Sequence, residues 1–83
     1  QEVFLEAKNK YGWLFGKSKG LETKRIQTMN DFYDQMRRQL EAMPRGAKLE
    51  WHFQEKIVAD EVRKGLPPKL QSQVDIYFNP IKE

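Results

Sequence analysis

The sequence has no cysteine and a single histidine, His52. Neither a disulfide framework nor a thiolate zinc site is available to it, and one imidazole excludes a multi-histidine metal cage. Metal chemistry, if any, falls to oxygen ligands and a hard cation, with Mg²⁺ the default. Long hydrophobic runs are also missing. No stretch approaches the roughly 18–20 apolar residues that span a bilayer, and there is no signal-peptide pattern, so no membrane anchor is expected. At 83 residues the chain is expected to form one domain at most, burying roughly 60% of its unfolded surface around a thin core. It begins at Gln1, inside what reads as a strand, and is expected to have been cut from something longer.

The charge that is present is unevenly placed. Residues 8–25 hold Lys8, Lys10, Lys17, Lys19, Lys24 and Arg25 against Glu22 alone, a net +5. Residues 1–7 carry −2 and the rest of the chain balances to zero. A concentrated basic segment attracts polyanions and speeds their arrival, although a solvated lysine-rich loop has the same composition.

Alternation predicts a strand over Val3–Lys8, with Val3, Leu5 and Ala7 on one face and Phe4, Glu6 and Lys8 on the other. Residues 9–20, rich in glycine and lysine, read as a loop too long for a tight turn, and carry Tyr11, Trp13 and Phe15. Met29, Phe32, Tyr33, Met36, Leu40 and Met43 recur at three- and four-residue steps, predicting a helix from about Glu22 to Met43 that Pro44 and Gly46 terminate. Leu49, Trp51 and Phe53 alternate with Lys48, Glu50 and His52 in a second strand. A second amphipathic helix is predicted over Glu55–Leu66, and a third strand over Gln73–Phe78. Strand–helix–strand–helix–strand order implies an α/β layer with largely parallel strands and right-handed crossovers. Three strands leave an unprotected edge, expected to be met by further strands or a partner.

Glu6 and Lys8 stand two apart on a strand and so emerge on one face. A carboxylate binds Mg²⁺, and a neighbouring ammonium orients water and offsets charge on a scissile phosphate. The spacing alone is common, and its simplest meaning is an exposed ion pair worth about 0–1 kcal/mol.

The wider sequence narrows the choice. Phe4-Leu5-Glu6-Ala7-Lys8, the helix segment Gln35-Met36-Arg37-Arg38-Gln39, and Leu49-Glu50-Trp51-His52-Phe53 before Val58-Ala59 resemble polymorphic bacterial toxins of the restriction-endonuclease fold, type five of that group, within the PD-(D/E)xK nuclease superfamily. The likeness runs from Leu5 to Phe78 and implies a partial restriction-endonuclease-like core, a β-α-β-α-β arrangement with a small, mostly parallel or mixed sheet flanked by helices. On this likeness residues 1–83 are the C-terminal part of a nuclease toxin domain.

What the likeness implies for residues is specific. Glu6 resembles the metal-binding acid and Lys8 the catalytic lysine. Gln35 and Gln39 both occupy the region of a supporting glutamine, one helical turn apart, and either would serve. The family's upstream aspartate has no counterpart in this chain, and Glu2, on the Glu6 face by alternation, is not its positional substitute. Asn9-Lys10-Tyr11-Gly12 stands where the family has a glycine-proline-glycine run and a tyrosine.

The remaining candidates are open to two readings. His52 shares its strand face with Glu50, expected to be the face of Glu6 and Lys8, and reads either as a general base or as a histidine hydrogen-bonded at a strand end. Trp51 reads as core. Tyr11, Trp13 and Phe15 suit base stacking among lysines, or else anchoring of the loop or contact with an inhibitor, with core anchoring favoured for at least one. Asp31, Asp34 and Asp60 read as surface charges, and Asp75 is the acid that merits a check. Lys10, Lys17, Lys19, Lys24 and Arg25 are the candidate nucleic-acid contacts.

The function implied is that of a secreted antibacterial effector, of the type VI secretion kind. It would hydrolyse DNA with Mg²⁺ in the cytoplasm of a target bacterium, with a cognate immunity protein as partner. The alternatives are a catalytically incomplete binding module, for the immunity protein or nucleic acid, and a ribonuclease on the same scaffold.

Overall fold

The computed structural model describes residues 3–8, 10–16 and 20–80. Three strands, β1 (Val3–Lys8), β2 (Lys48–Phe53) and β3 (Val74–Phe78), form one sheet in the order β1-β2-β3. Both pairings are parallel. The first crossover carries a 3-10 turn (Gly12–Phe15) and the long helix α1 (Leu21–Ala42), and the second carries α2 (Lys56–Lys64) and the short α3 (Pro68–Gln71).

Two consecutive crossovers of one hand lay their helices on the same side of such a sheet, and the burial follows. Leu49, Trp51 and Phe53 on β2 are fully buried against Phe32, Tyr33 and Met36 of α1 and Val58, Ala59 and Val62 of α2. Leu66, Leu70, Val74 and Ile76 complete that core. No helix among the described residues covers the opposite face, so the sheet is roofed on one side rather than flanked on both. The α1 stripe ends where the chain turns out at Met43, Pro44 and Gly46, the last with φ +86°.

The edge strand β1 turns its more apolar face away from the helices. Val3 and Leu5 are 53% and 62% exposed, whereas Glu6 and Lys8 are half-buried. The register explains this: Phe4, Glu6 and Lys8 are aligned with Leu49, Trp51 and Phe53, and laterally aligned residues in a sheet share a face. At the other edge, the Arg63 guanidinium donates to the Ile76 carbonyl (2.8 Å), which caps part of β3.

Two elements lie outside the periodicity reading. The 3-10 turn is shorter than one amphipathic repeat and is held by local bonds, Leu14 N–H to Tyr11 O (3.1 Å) and Gly16 N–H to Trp13 O (3.2 Å). The single-turn α3 begins at Pro68, whose fixed φ suits the first helical position.

Tyr33 links α1 to α2 by donating its hydroxyl to the Val62 carbonyl at 3.0 Å. Burial, and secondarily the Glu61 carboxylate, push the Tyr33 phenol above its usual value. A phenol whose folded pKa is raised contributes stability fully present below the unfolded value of about 10 and lost as pH rises towards the folded value. Urea midpoints at pH 7 and at about pH 10.5 should therefore fall further in the wild type than in Tyr33→Phe. The variant should also lose about 1 kcal/mol at pH 7 with its hydroxyl bond. An equal alkaline loss in both proteins would contradict this.

Candidate active site

Alternation brings Glu6 and Lys8 out together, and the register then sets them over aromatic core rather than over water. The Lys8 ammonium lies 3.1 Å from Glu6 Oε1 and donates to Gln35 Oε1 at 3.0 Å. Its nitrogen also sits 5.1 Å from the Trp51 ring centre and 5.5 Å from that of Phe32. The Lys8 side chain is only 14% exposed, a position that would be costly for an unpaired ammonium. A carboxylate, an amide oxygen and two aromatic faces offset that cost, the ring contacts by about 0.5–2 kcal/mol each.

The two glutamines divide the work. Gln35 reaches Lys8, while Gln39, one turn further along α1, accepts the indole N–H of Trp51 at 2.9 Å. Phe32 packs edge-on against Trp51, with ring centres 5.5 Å apart. Gln39 therefore satisfies the only polar atom of the Trp51 side chain and fixes the ring beneath Lys8. Its contact with the pair passes through that ring.

His52 is not part of this group. It is aligned with Ala7, on the opposite sheet face from Glu6 and Lys8, which corrects the expectation that all three share a face. One residue of strand register decides this, because every second side chain changes side. His52 Nε2 lies 3.0 Å from Glu50 Oε1, Nδ1 accepts from the Asn79 amide, and the ring stacks on Tyr77 at 4.9 Å. Asp75 is on that same face, 3.7 Å from Lys48 and aligned with Glu50. Like His52, it is remote from Glu6.

The candidate basic contacts are spread out. Lys10 and Lys24 are exposed. Arg25 lies over the Phe15 ring at 5.6 Å, in a groove that Met29, Tyr33 and Glu61 also line and that includes neither Glu6 nor Lys8. Lys17 and Lys19, like Glu2 and Asn9, lie outside the described residues.

Glu55, which sequence reasoning passed over, ties this end of the molecule together. It is the residue before α2, yet its carboxylate does not cap that helix. It accepts the Gly12 N–H at 2.8 Å instead, so the turn after β1 is pinned to the start of α2. A Cβ at Gly12 would stand 2.0 Å from Glu55 Oε2, so a side chain there would push this carboxylate out of its present place. No local pattern signals a bond across 43 residues.

A hard cation finds one carboxylate here. Among the described residues no group of three acidic, histidine or cysteine side chains would hold a metal. Glu6, with its side chain 30% exposed and one oxygen engaged by Lys8, offers a single ligand oxygen. That fits an ion of the Mg²⁺ type, which keeps several waters and takes one or two carboxylates together with substrate phosphate oxygens.

Residues 1–56 match the family described as restriction endonuclease fold toxin 5. No curated protein and no solved structure matches the chain.

The division of labour between the glutamines has a measurable consequence. Gln39→Ala should lower unfolding free energy by about 1–3 kcal/mol, because it strands the buried Trp51 N–H. Gln35→Ala should cost less than about 1 kcal/mol, since Lys8 keeps Glu6. Equal losses in chemical denaturation would refute it.

Proposed function

The chain belongs to the restriction endonuclease fold toxin 5 family, and on that premise we propose that it carries the Glu-x-Lys half of a metal-dependent nuclease site. DNA of a competing bacterium is the intended substrate. The observation that carries this reading is the three-way contact of Lys8 with Glu6 and Gln35 over the Trp51 and Phe32 rings. A lysine serving only as surface charge has no need of such a setting.

Each residue has a defined task. Glu6 would hold the cation through the carboxylate oxygen that Lys8 leaves free. Lys8 has three N–H donors, two of them directed at Glu6 and Gln35. The third is left for a phosphate oxygen or the attacking water. An ammonium fixed in advance, partly shielded from solvent, stabilises charge developing on the phosphate without reorganising during reaction. Gln35 holds that ammonium in place, and Gln39 holds the ring on which it rests. A bound Mg²⁺ would supply Lewis acidity and lower the pKa of a coordinated water.

The same premise extends to the setting. Such a toxin would be delivered by a secretion system of type VI kind, act in the cytoplasm of the target cell, and be restrained in the producing cell by a cognate immunity protein. No helix among the described residues is long and apolar enough to cross a membrane. A ribonuclease would use the same groups, and a DNA and an RNA substrate offered side by side separate the two.

Plasmid cleavage with Mg²⁺ tests the assignment. Glu6→Ala and Lys8→Ala should each reduce the rate at least roughly 100-fold, and addition of EDTA should abolish it. His52→Ala should change it less than about 3-fold, given its place on the other face. Cleavage retained in both the Glu6 and Lys8 variants would sink the assignment. Binding of DNA without any cleavage by the wild type would leave a binding module.

A further inference from the structure

The three aromatics that alternate in the segment after β1 have different fates. Tyr11 packs edge-on against Phe32, with ring centres 5.1 Å apart, and Phe15 lies against the core beneath Arg25. Leu14 between them is fully buried. Trp13 alone of the three faces out: it is 55% exposed, and its indole makes no ring contact or hydrogen bond with any described residue.

This exposure is built into a fixed support. Gly12 N–H is bonded to Glu55, Leu14 N–H to Tyr11 O, and Gly16 N–H to Trp13 O. Trp13 is thus the projecting residue of a turn anchored on both sides by buried groups. A large flat side chain held this way loses little freedom on binding.

The turn is also close to the reacting pair. Lys8 and Tyr11 touch the same Phe32 ring. Trp13 is five residue steps along the chain from Lys8, at most about 18 Å when extended, which is about five base steps at 3.4 Å each. Trp13 stands in the segment where six cations face one anion, and Lys10, three residues before it in the chain, is exposed. An exposed aromatic face among cations is the arrangement that stacks on bases while the charges follow phosphates.

We propose that Trp13 is a nucleobase platform, stacking on an unpaired base of the strand whose phosphate lies at Lys8. This rests on the nuclease reading above and adds to it a preference for single-stranded or locally opened substrate. The ligand class is an unpaired base in a polyanionic strand. An apolar surface of a protein partner is the competing occupant.

Affinity for a single-stranded oligonucleotide, compared with an abasic strand of equal length, decides between them. Wild type should prefer the base-containing strand, and binding should quench Trp13 emission, Trp51 being fully buried. Trp13→Ala should weaken that binding roughly 5- to 150-fold, towards the abasic value, with the salt slope unchanged. Trp13→Phe should retain most of the affinity and Trp13→Leu should not.

Equal binding of both strands by the wild type, no binding of either, an indifferent Trp13→Ala, or a Trp13→Leu as good as Trp13→Phe would each overturn the proposal. Cleavage by Glu6→Ala, run in parallel, keeps the two assignments apart. Persistent cleavage in that variant together with a lost base preference in Trp13→Ala removes the Glu6 assignment and leaves the platform standing. The reverse pattern removes the platform alone.

Discussion

Lys8 has to bring a positive charge to the rim of an aromatic core, and the pairing of β1 with β2 is what obliges it to do so. With Glu6 aligned to Trp51 and Lys8 to Phe53, the acid and the ammonium must lie on the side that α1 and α2 roof over. The alternate register would turn both outward and bring Val3, Leu5 and Ala7 inward. That would look more natural for burial, because apolar side chains would be covered. The observed arrangement gives up that gain on a marginal edge strand. It is tolerated because Lys8 meets Glu6, Gln35 and two ring faces instead of bare hydrocarbon.

Several features follow from that constraint. Trp51 has to be fixed for its ring to support the ammonium, which gives Gln39 its place. Phe32 serves four neighbours, touching Lys8, Tyr11, Trp51 and Phe53, so α1 and the turn after β1 are set by the same ring. Glu55 fixes the other end of that turn. The group of residues that would act on a phosphodiester and the group that would position its strand therefore share one support. In a small domain with a thin core this economy carries a cost: a substitution aimed at chemistry also tests packing, and activity losses have to be read beside stability.

Much of the fold was legible because its elements repeat their pattern. The two-residue alternation of Leu49, Trp51 and Phe53, and the three- and four-residue spacing from Met29 to Met43, each persist over more than one period. The bounds of α1 came within a residue, with Leu21–Ala42 observed against Glu22–Met43 expected, and α2 ends at Lys64, two residues before the expected Leu66. Gly12–Phe15 and Pro68–Gln71 are too short to repeat anything, and escaped. The site was half legible. Alternation put Glu6 and Lys8 on one face, and resemblance pointed to Gln35 or Gln39, but nothing along the chain relates the face of one strand to that of another. That relation comes only from tertiary pairing. It is why His52 was expected beside Lys8 and stands on the far side of the sheet, with Glu50 and Asn79.

The proposed nuclease site puts cation binding on the roofed face of the sheet, at Glu6, and not on the open face where Glu50 and His52 meet. Mn²⁺ titrated into isotope-labelled protein tests it directly, because a paramagnetic ion broadens the signals nearest to it. Broadening should centre on residues 6–8 and Gln35 and be abolished in Glu6→Gln, with Glu50, His52 and Asn79 spared. Broadening centred on Glu50 and His52 that survives in Glu6→Gln would contradict it.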